Sequence, residues 1–271
     1  MGRPAGTIPP MRILLTNDDG ILAPGLAAMR RELMALGDVD VVAPETPQSA
    51  AAHGITVHGP VAVRDVHVQG TFFGRSVDGR PADCVKLAIS ELLEQPPDLV
   101  VSGINDGANV SINVLYSGTV AAAAEGALLG FPAIAVSMKQ GIERDFDRAA
   151  RILLPIIGRL VELGLKPGEL INLNVPDMAL GPPLGIKVVP MATRPMQDRF
   201  VRHAAPDGRD YYWLVGDDFL PAGDQPETDL DAIENRYIAM TPLQFDLTRH
   251  EQIASLRAVD WPLDTGILEC G

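Results

Sequence analysis

Two adjacent aspartates, Asp18 and Asp19, close the first strongly apolar run of the chain, Met11-Arg-Ile-Leu-Leu-Thr-Asn-Asp-Asp-Gly20. Neighbouring carboxylates repel one another unless a cation sits beside them. Asn-Asp-Asp-Gly is equally good turn chemistry, so the pair alone divides evenly between a solvated turn and a metal site. Two more oxygen donors follow other β-like runs: Ser49 in Pro44-Glu-Thr-Pro-Gln-Ser-Ala50, and Asn105 in Val101-Ser-Gly-Ile-Asn-Asp-Gly107. In a parallel sheet these three loops leave the same end, where open α/β folds bind ligands. Two carboxylates, a hydroxyl and an amide carbonyl would then converge. An oxygen-only set suits Mg²⁺, Mn²⁺ or Ca²⁺ and not a thiolate-seeking metal. Taken singly, Ser49 reads as a loop hydroxyl and Asn105 as a turn residue.

A second group has the chemistry of an anion site. Tyr116-Ser-Gly-Thr-Val120 leads into Ala121-Ala-Ala-Ala124, so Ser117, Gly118 and Thr119 stand at a helix start with free backbone N–H groups. A plain N-cap by Ser117 or Thr119 is the competing and compatible reading. Asn109, four residues after Asn105, can donate its amide to the same anion. His53, four residues after Ser49, is a candidate general acid or phosphate ligand, and an ordinary loop histidine is an equal reading.

The elements that must position these residues alternate in type. Strand-like runs are expected at 12–16, 39–43, 98–102, 133–137 and 170–175, with edge strands or a hairpin within 57–68. Helical spacing covers 24–36, 82–94, 118–129 and 146–163, with Pro155 expected to kink or end the last of these. Such alternation predicts a Rossmann-like, doubly wound and mostly parallel sheet with helices on both faces. No GxGxxG follows the first strand, which excludes a dinucleotide-binding role. After residue 178 prolines and glycines become frequent, with β-like pieces at 186–191, 211–215 and 237–241 and a helix over 247–259. The chain divides on this reading into an N-terminal extension (1–10) expected to be disordered, a catalytic core (11–178), and a smaller β-rich extension with a C-terminal helix (179–271).

The 271 residues are 46% hydrophobic, enough for a sizeable core, and carry a net charge of −13. That charge argues against a nucleic-acid polymer as partner. It leaves a small phosphorylated substrate open, since a bound cation reverses the local field. The two cysteines, Cys84 and Cys270, form no CxxC pair, which fits a reducing compartment and a cytoplasmic address. No run reaches the about 20 apolar residues of a membrane span, and the first ten residues lack a signal-peptide pattern. GxSxG, P-loop and HExxH motifs are absent. An aspartyl-phosphate phosphatase also starts from an Asp after a first strand, but such enzymes carry DxDxT, and this chain has Asp18-Asp19-Gly20-Ile21.

These segments together closely resemble the SurE family, the stationary-phase survival proteins. The resemblance is carried by ILLTNDDGILAPGL (13–26), VVAPETPQSA (41–50), HGITVH (53–58), SVDGRPADCVKLA (76–88), PDLVVSGINDGANV (97–110), YSGTVAAAAEGALLGFPAIAVS (116–137), INLNVP (171–176) and TDLDAIENRYIAMTPL (228–243). It implies a metal-dependent 5′-nucleotidase with one divalent metal ion per subunit, Asp18, Asp19, Ser49 and Asn105 as its ligands, and Asn109 and Ser117 near the phosphate. It further implies action on nucleoside monophosphates, in some relatives also on 3′-nucleotides and short polyphosphate, and assembly into homodimers or homotetramers by subunit swapping. The loop 111–114 lacks acids that some relatives carry there. A non-catalytic nucleotide- or anion-binding protein shares the same loops and is the alternative from another class.

Overall fold

Ile13, Leu14 and Leu15 are all buried in β1 (Met11–Thr16), although their side chains alternate between opposite faces of the strand. Ile13 and Leu15 belong to one hydrophobic cluster and Leu14 to another. A strand buried on both faces must lie inside a layered α/β sheet. The structure is a computed structural model and describes residues 10–141, 144–179, 181–194, 197–216 and 227–262. Residues 1–9 of the expected extension, Pro195, Pro221, Pro226 and Cys270 lie outside that set.

Among the described residues nine strands form one sheet. In chain order they are β1, β2 (Gly37–Pro44), β3 (Val63–Val68), β4 (Thr71–Val77), β5 (Leu99–Asp106), β6 (Ala133–Met138), β7 (Leu170–Val175), β8 (Ile186–Val188) and, after a separate hairpin, β11 (Ile238–Leu243). They lie in the order β3-β4-β2-β1-β5-β6-β7-β11-β8. The hairpin pairs β9 (Arg199–Ala204) with β10 (Asp210–Val215), antiparallel. β1 pairs with β2 on one side and β5 on the other, both parallel. The chain therefore reverses direction across the sheet between β1 and β5, which is the switch point where ligand crevices open.

The helices divide between the faces. α1 (Pro24–Leu33) and α4 (Phe146–Glu162) bury Leu26, Met29, Leu33, Leu153 and Ile157 against Ile13, Leu15, Val101 and Val136. α2 (Pro81–Leu87) and α3 (Gly118–Leu128) pack with Leu14, Val42, Val100 and Ala135 on the other face. α3 lies close to the sheet because its facing residues are small. A Cβ added at Gly126 would come within 2.9 Å of the Val100 side chain. α5 (Asp229–Glu234) builds a third cluster with Val110, Val189 and Ala239. Last comes α6 (His250–Arg257).

Several elements depart from the sequence reading. The stretch 57–68 holds one strand, β3, and its hairpin partner β4 went unanticipated; Gln69 and Gly70 turn between them, both at positive φ. α4 runs through Pro155, whose position faces solvent, so the carbonyl one turn back can reach water. The helix expected over 82–94 is α-helical only to Leu87 and continues in a wider turn to Leu92. Within 179–271, β11 lies antiparallel to β7 and β8 pairs with β11, so both extend the main sheet, and β9–β10 forms a sheet of its own. Among the described residues no helix is long and apolar enough to cross a membrane.

Candidate metal centre

The loops after β1, β2 and β5 meet as the parallel sheet requires. Asp18, Asp19, Ser49 and Asn105 all line one cavity of about 550 Å³. The turn chemistry of Asn-Asp-Asp-Gly is carried by Asn17, whose side chain exchanges hydrogen bonds with the Gly20 backbone (3.1 and 3.2 Å). That leaves both aspartates free to face the cavity, so the turn and the site coexist. The loop after β2 docks on them, with the Gln48 N–H donating to the Asp18 carbonyl at 2.7 Å.

Asn105 donates its Nδ2 to the Gly107 carbonyl at 2.7 Å, which leaves Oδ1 as the free, electron-donating end. Asp19 Oδ2 accepts the Asp106 N–H at 3.1 Å. Asp18 is only 5% exposed, and Thr119 donates its hydroxyl to the Asp18 carboxylate. Burial pushes the Asp18 carboxyl up to about 6, against the pull of Thr119 and with a further push from Asp19. Burial also raises Asp19, and the Asp106 carboxylate adds to the effect. Two crowded carboxyls held out of water with unfavourable ionisation fit a cation, which would favour the charged form of each. With a hydroxyl and an amide oxygen beside them, the donors match a hard divalent ion. Among the described residues no cluster of three or more Asp, Glu, His or Cys side chains has the spacing of a metal site. The candidate set therefore depends on the neutral oxygens of Ser49 and Asn105 as well as the two carboxylates.

The residues singled out for phosphate are placed differently from one another. Ser117 lines the cavity and caps α3, accepting the Val120 N–H at 3.0 Å. Asn109 also lines the cavity, but its amide donates to Ser137 Oγ at 2.8 Å and its backbone carbonyl accepts from Asn172 and Asn174. One of the two N–H donors of its amide is thus engaged inside the protein, and the other remains available on the cavity side. Thr119 is turned to Asp18. Gly118 lies beneath the same carboxylate, since a Cβ there would come within 2.7 Å of Asp18 Cβ. At the helix start, Thr119 and Gly118 thus face the protein's own carboxylate, while Ser117 borders the cavity. His53 is not among the cavity-lining residues. Its Nε2 meets Glu125 Oε2 at 2.8 Å, and its ring stands edge-on to Phe245.

The sequence reading missed other walls of the cavity. Asp106 pairs with Arg144 at 2.7 Å. Asn113 and Tyr116 come from the turn before α3, and Asp198, Leu214 and Gly216 come from the β9–β10 hairpin. Asp106, adjacent to Asn105, could have been found from its place at the end of β5. The hairpin residues carry no local signal.

The family model described as "Survival protein SurE" matches residues 13–198. The chain is 45% identical to a protein of Desulforudis audaxviator named "5'-nucleotidase SurE", covering 94% of this chain and 98% of that one. It is 46% identical to the protein of the same name from Rhodopirellula baltica, over 93% and 99% of the two chains. The crystal structure of the SurE protein from Aquifex aeolicus superposes with a TM-score of 0.78 at 36% identity, covering 91% of this chain and 98% of that chain.

Proposed function

The chain belongs to the SurE family, and on that premise we propose that it is a divalent-metal-dependent phosphomonoesterase, a 5′-nucleotidase that converts nucleoside 5′-monophosphates to nucleoside and phosphate. The observation that carries the reading is the convergence of Asp18, Asp19, Ser49 and Asn105 on one cavity at the sheet's switch point. These four residues would hold one Mg²⁺ or Mn²⁺ per subunit, with Ca²⁺ able to occupy the same donors. The cation would supply Lewis acidity toward the phosphoryl oxygens and lower the pKa of a water.

The chain's own residues do the rest. Thr119 orients Asp18, and Asn105 is oriented by Gly107. Ser117 and Asn109 offer polar surface where the phosphoryl group would lie. Tyr116 and Leu214 supply apolar walls for the nucleoside. Action on 3′-nucleotides and short polyphosphate belongs to the same proposal, because a cation-centred site reads phosphate before it reads base. Residues 11–178 would carry the catalytic donors. The later segment, with Tyr211 and Trp213 exposed on the face of the hairpin opposite Leu214, would serve assembly into a homodimer or homotetramer. A reducing, cytoplasmic setting fits the two cysteines.

Phosphate release from AMP, followed with Mg²⁺, with Mn²⁺ and with EDTA, tests the reading. Release that depends on metal and vanishes in Asp18→Asn is expected. Wild-type turnover in that variant overturns the assignment, and nucleotide binding without turnover in any metal would favour the non-catalytic alternative.

A further inference from the structure

Ser49 sits in a loop, Glu45 to Thr56, that has no place in the sheet ladder and must be held from outside. Ala50 and Ala52 flank that turn at φ +56° and +51°, a left-handed conformation that residues bearing a Cβ adopt only when their surroundings impose it. Several contacts impose it: at the loop's start the Glu45 N–H donates to the Val77 carbonyl (2.8 Å) and Arg64 pairs with the Glu45 carboxylate, and in its middle Arg80 Nη1 donates to the Ala51 carbonyl (3.4 Å). The Gln48 N–H donates to the Asp18 carbonyl (2.7 Å) and the Ala52 N–H to the Tyr116 carbonyl (3.0 Å). Thr56 donates its N–H (2.9 Å) and hydroxyl (2.6 Å) to Asp83. Between them, His53 Nε2 meets Glu125 Oε2 at 2.8 Å.

Glu125 is anomalous where it stands. It is 6% exposed on a helix whose neighbouring buried residues are alanine and glycine, and a buried carboxylate is retained only with partners. Its partners are His53 on one oxygen and Lys86 Nζ, 2.8 Å from the other. Together they hold the carboxyl below its ordinary range despite burial, with His53 the larger influence. Neither Glu125 nor His53 lines the cavity, so neither touches substrate there.

We propose that Glu125 is a positioning residue for Ser49: by gripping His53 it holds the 45–56 loop in the strained turn that presents the Ser49 hydroxyl to the cavity. The proposal rests on the reading of Ser49 as a ligand of the cation.

The test is direct Mn²⁺ binding to the full chain, with backbone amide exchange of the metal-free protein as a second readout. Glu125→Ala and His53→Ala should each weaken Mn²⁺ by about tenfold, the lower end of what loss of a ligand-orienting partner produces. The pair combined should be no worse than either alone, and Glu125→Ala on a Ser49→Ala background should add nothing. Exchange at Gln48 and Ala52 should quicken in Glu125→Ala and His53→Ala, and slow again in His53→Gln, whose amide reaches the position of Nε2 and can still donate to the carboxylate. Lys86→Met removes the other arm and should leave Mn²⁺ affinity unchanged. If Glu125→Ala fails to fold, His53→Ala decides alone, since its ring is partly exposed at the surface. Unchanged affinity in the variants, additivity with Ser49→Ala, or an equal loss in Lys86→Met overturns Glu125's part alone. Wild-type affinity in Ser49→Ala refutes the Ser49 assignment itself, and the proposal falls with it.

Discussion

Thr119 donates its hydroxyl to the carboxylate of Asp18, so the start of α3 is met by a charge that the protein carries itself. A helix N-terminus stabilises an adjacent anion, and here that anion is the residue proposed to hold the cation. The helix dipole and the cation would then act on one carboxylate from two sides, and most expected effects of substitution trace back to this contact.

Asp18→Asn should separate stability from activity. In EDTA at pH 8 the wild type carries a buried, unneutralised carboxylate beside Asp19. Removing that charge should raise stability by on the order of 2 kcal/mol. Mn²⁺ should raise the Tm of the wild type and leave the variant's unmoved. Thermal unfolding of both proteins with and without Mn²⁺ measures this.

The pH dependence follows in sign from the same group. Its folded value, about 6, lies above its unfolded one. Between the two the folded chain holds the extra proton, so the stability attributable to Asp18 falls as pH rises through that window and is level above it. A cation needs the ionised form. Mn²⁺ binding should therefore release a proton below pH 6, and affinity should fall by up to about tenfold per pH unit there. Calorimetry in buffers of different ionisation enthalpy, comparing wild type with Asp18→Asn, reads both.

Thr119→Val keeps the shape of the side chain and removes the donor. The Asp18 carboxyl should rise further and the pH midpoint of Mn²⁺ binding should move upward. Metal-free stability should drop by about 1–3 kcal/mol for the lost partner of a buried group. Thr119→Ser should stay near wild type. Equal behaviour of the two variants would remove the hydroxyl from the account.

Gly118→Ala places a Cβ within 2.7 Å of Asp18 Cβ and 2.9 Å of Asp18 Oδ2. Displacement of the carboxylate should cost about 1–3 kcal/mol and most of the phosphate release. Gly158→Ala in α4 is the control, because its nearest neighbour is 3.7 Å away. It should gain about 0.5–1 kcal/mol from the lower entropy of the unfolded chain. Urea unfolding of both variants orders them.

The hairpin supplies a last contrast. Leu214 reaches the cavity, and Trp213, its neighbour along β10, points to the other face. Leu214→Ala should raise KM for AMP. Trp213→Ala should leave KM alone and shift the oligomer distribution by light scattering.

How much of this was legible beforehand follows from where the determining contacts lie. β1, β5, β6 and β7 announce themselves as apolar runs because both of their faces are covered. The four oxygen donors could be assembled from strand ends alone, because parallel topology brings those loops together whatever their sequence separation. β9 is almost wholly exposed and has no such pattern, and α5 is a six-residue helix signalled only by the Thr228–Asp231 capping box. What could not be read at His53 and Thr119 is of another kind. Both residue types suit a phosphate, but each found a carboxylate of its own chain first, and that choice of partner is made by tertiary packing.

The position of β11 bears on how the molecule can be made. β7 is paired on one side by β6 and on the other only by β11, a strand that follows β7 by some sixty residues. A ribosome that has delivered the chain through β7 has already delivered every oxygen donor of the cavity, while one flank of that strand stays bare. An unpaired strand edge invites association with other chains. The interval between synthesis of β7 and arrival of β11 is thus the period of greatest aggregation risk. Chains stopped short of residue 238 should enter the insoluble fraction even though their cavity residues are complete.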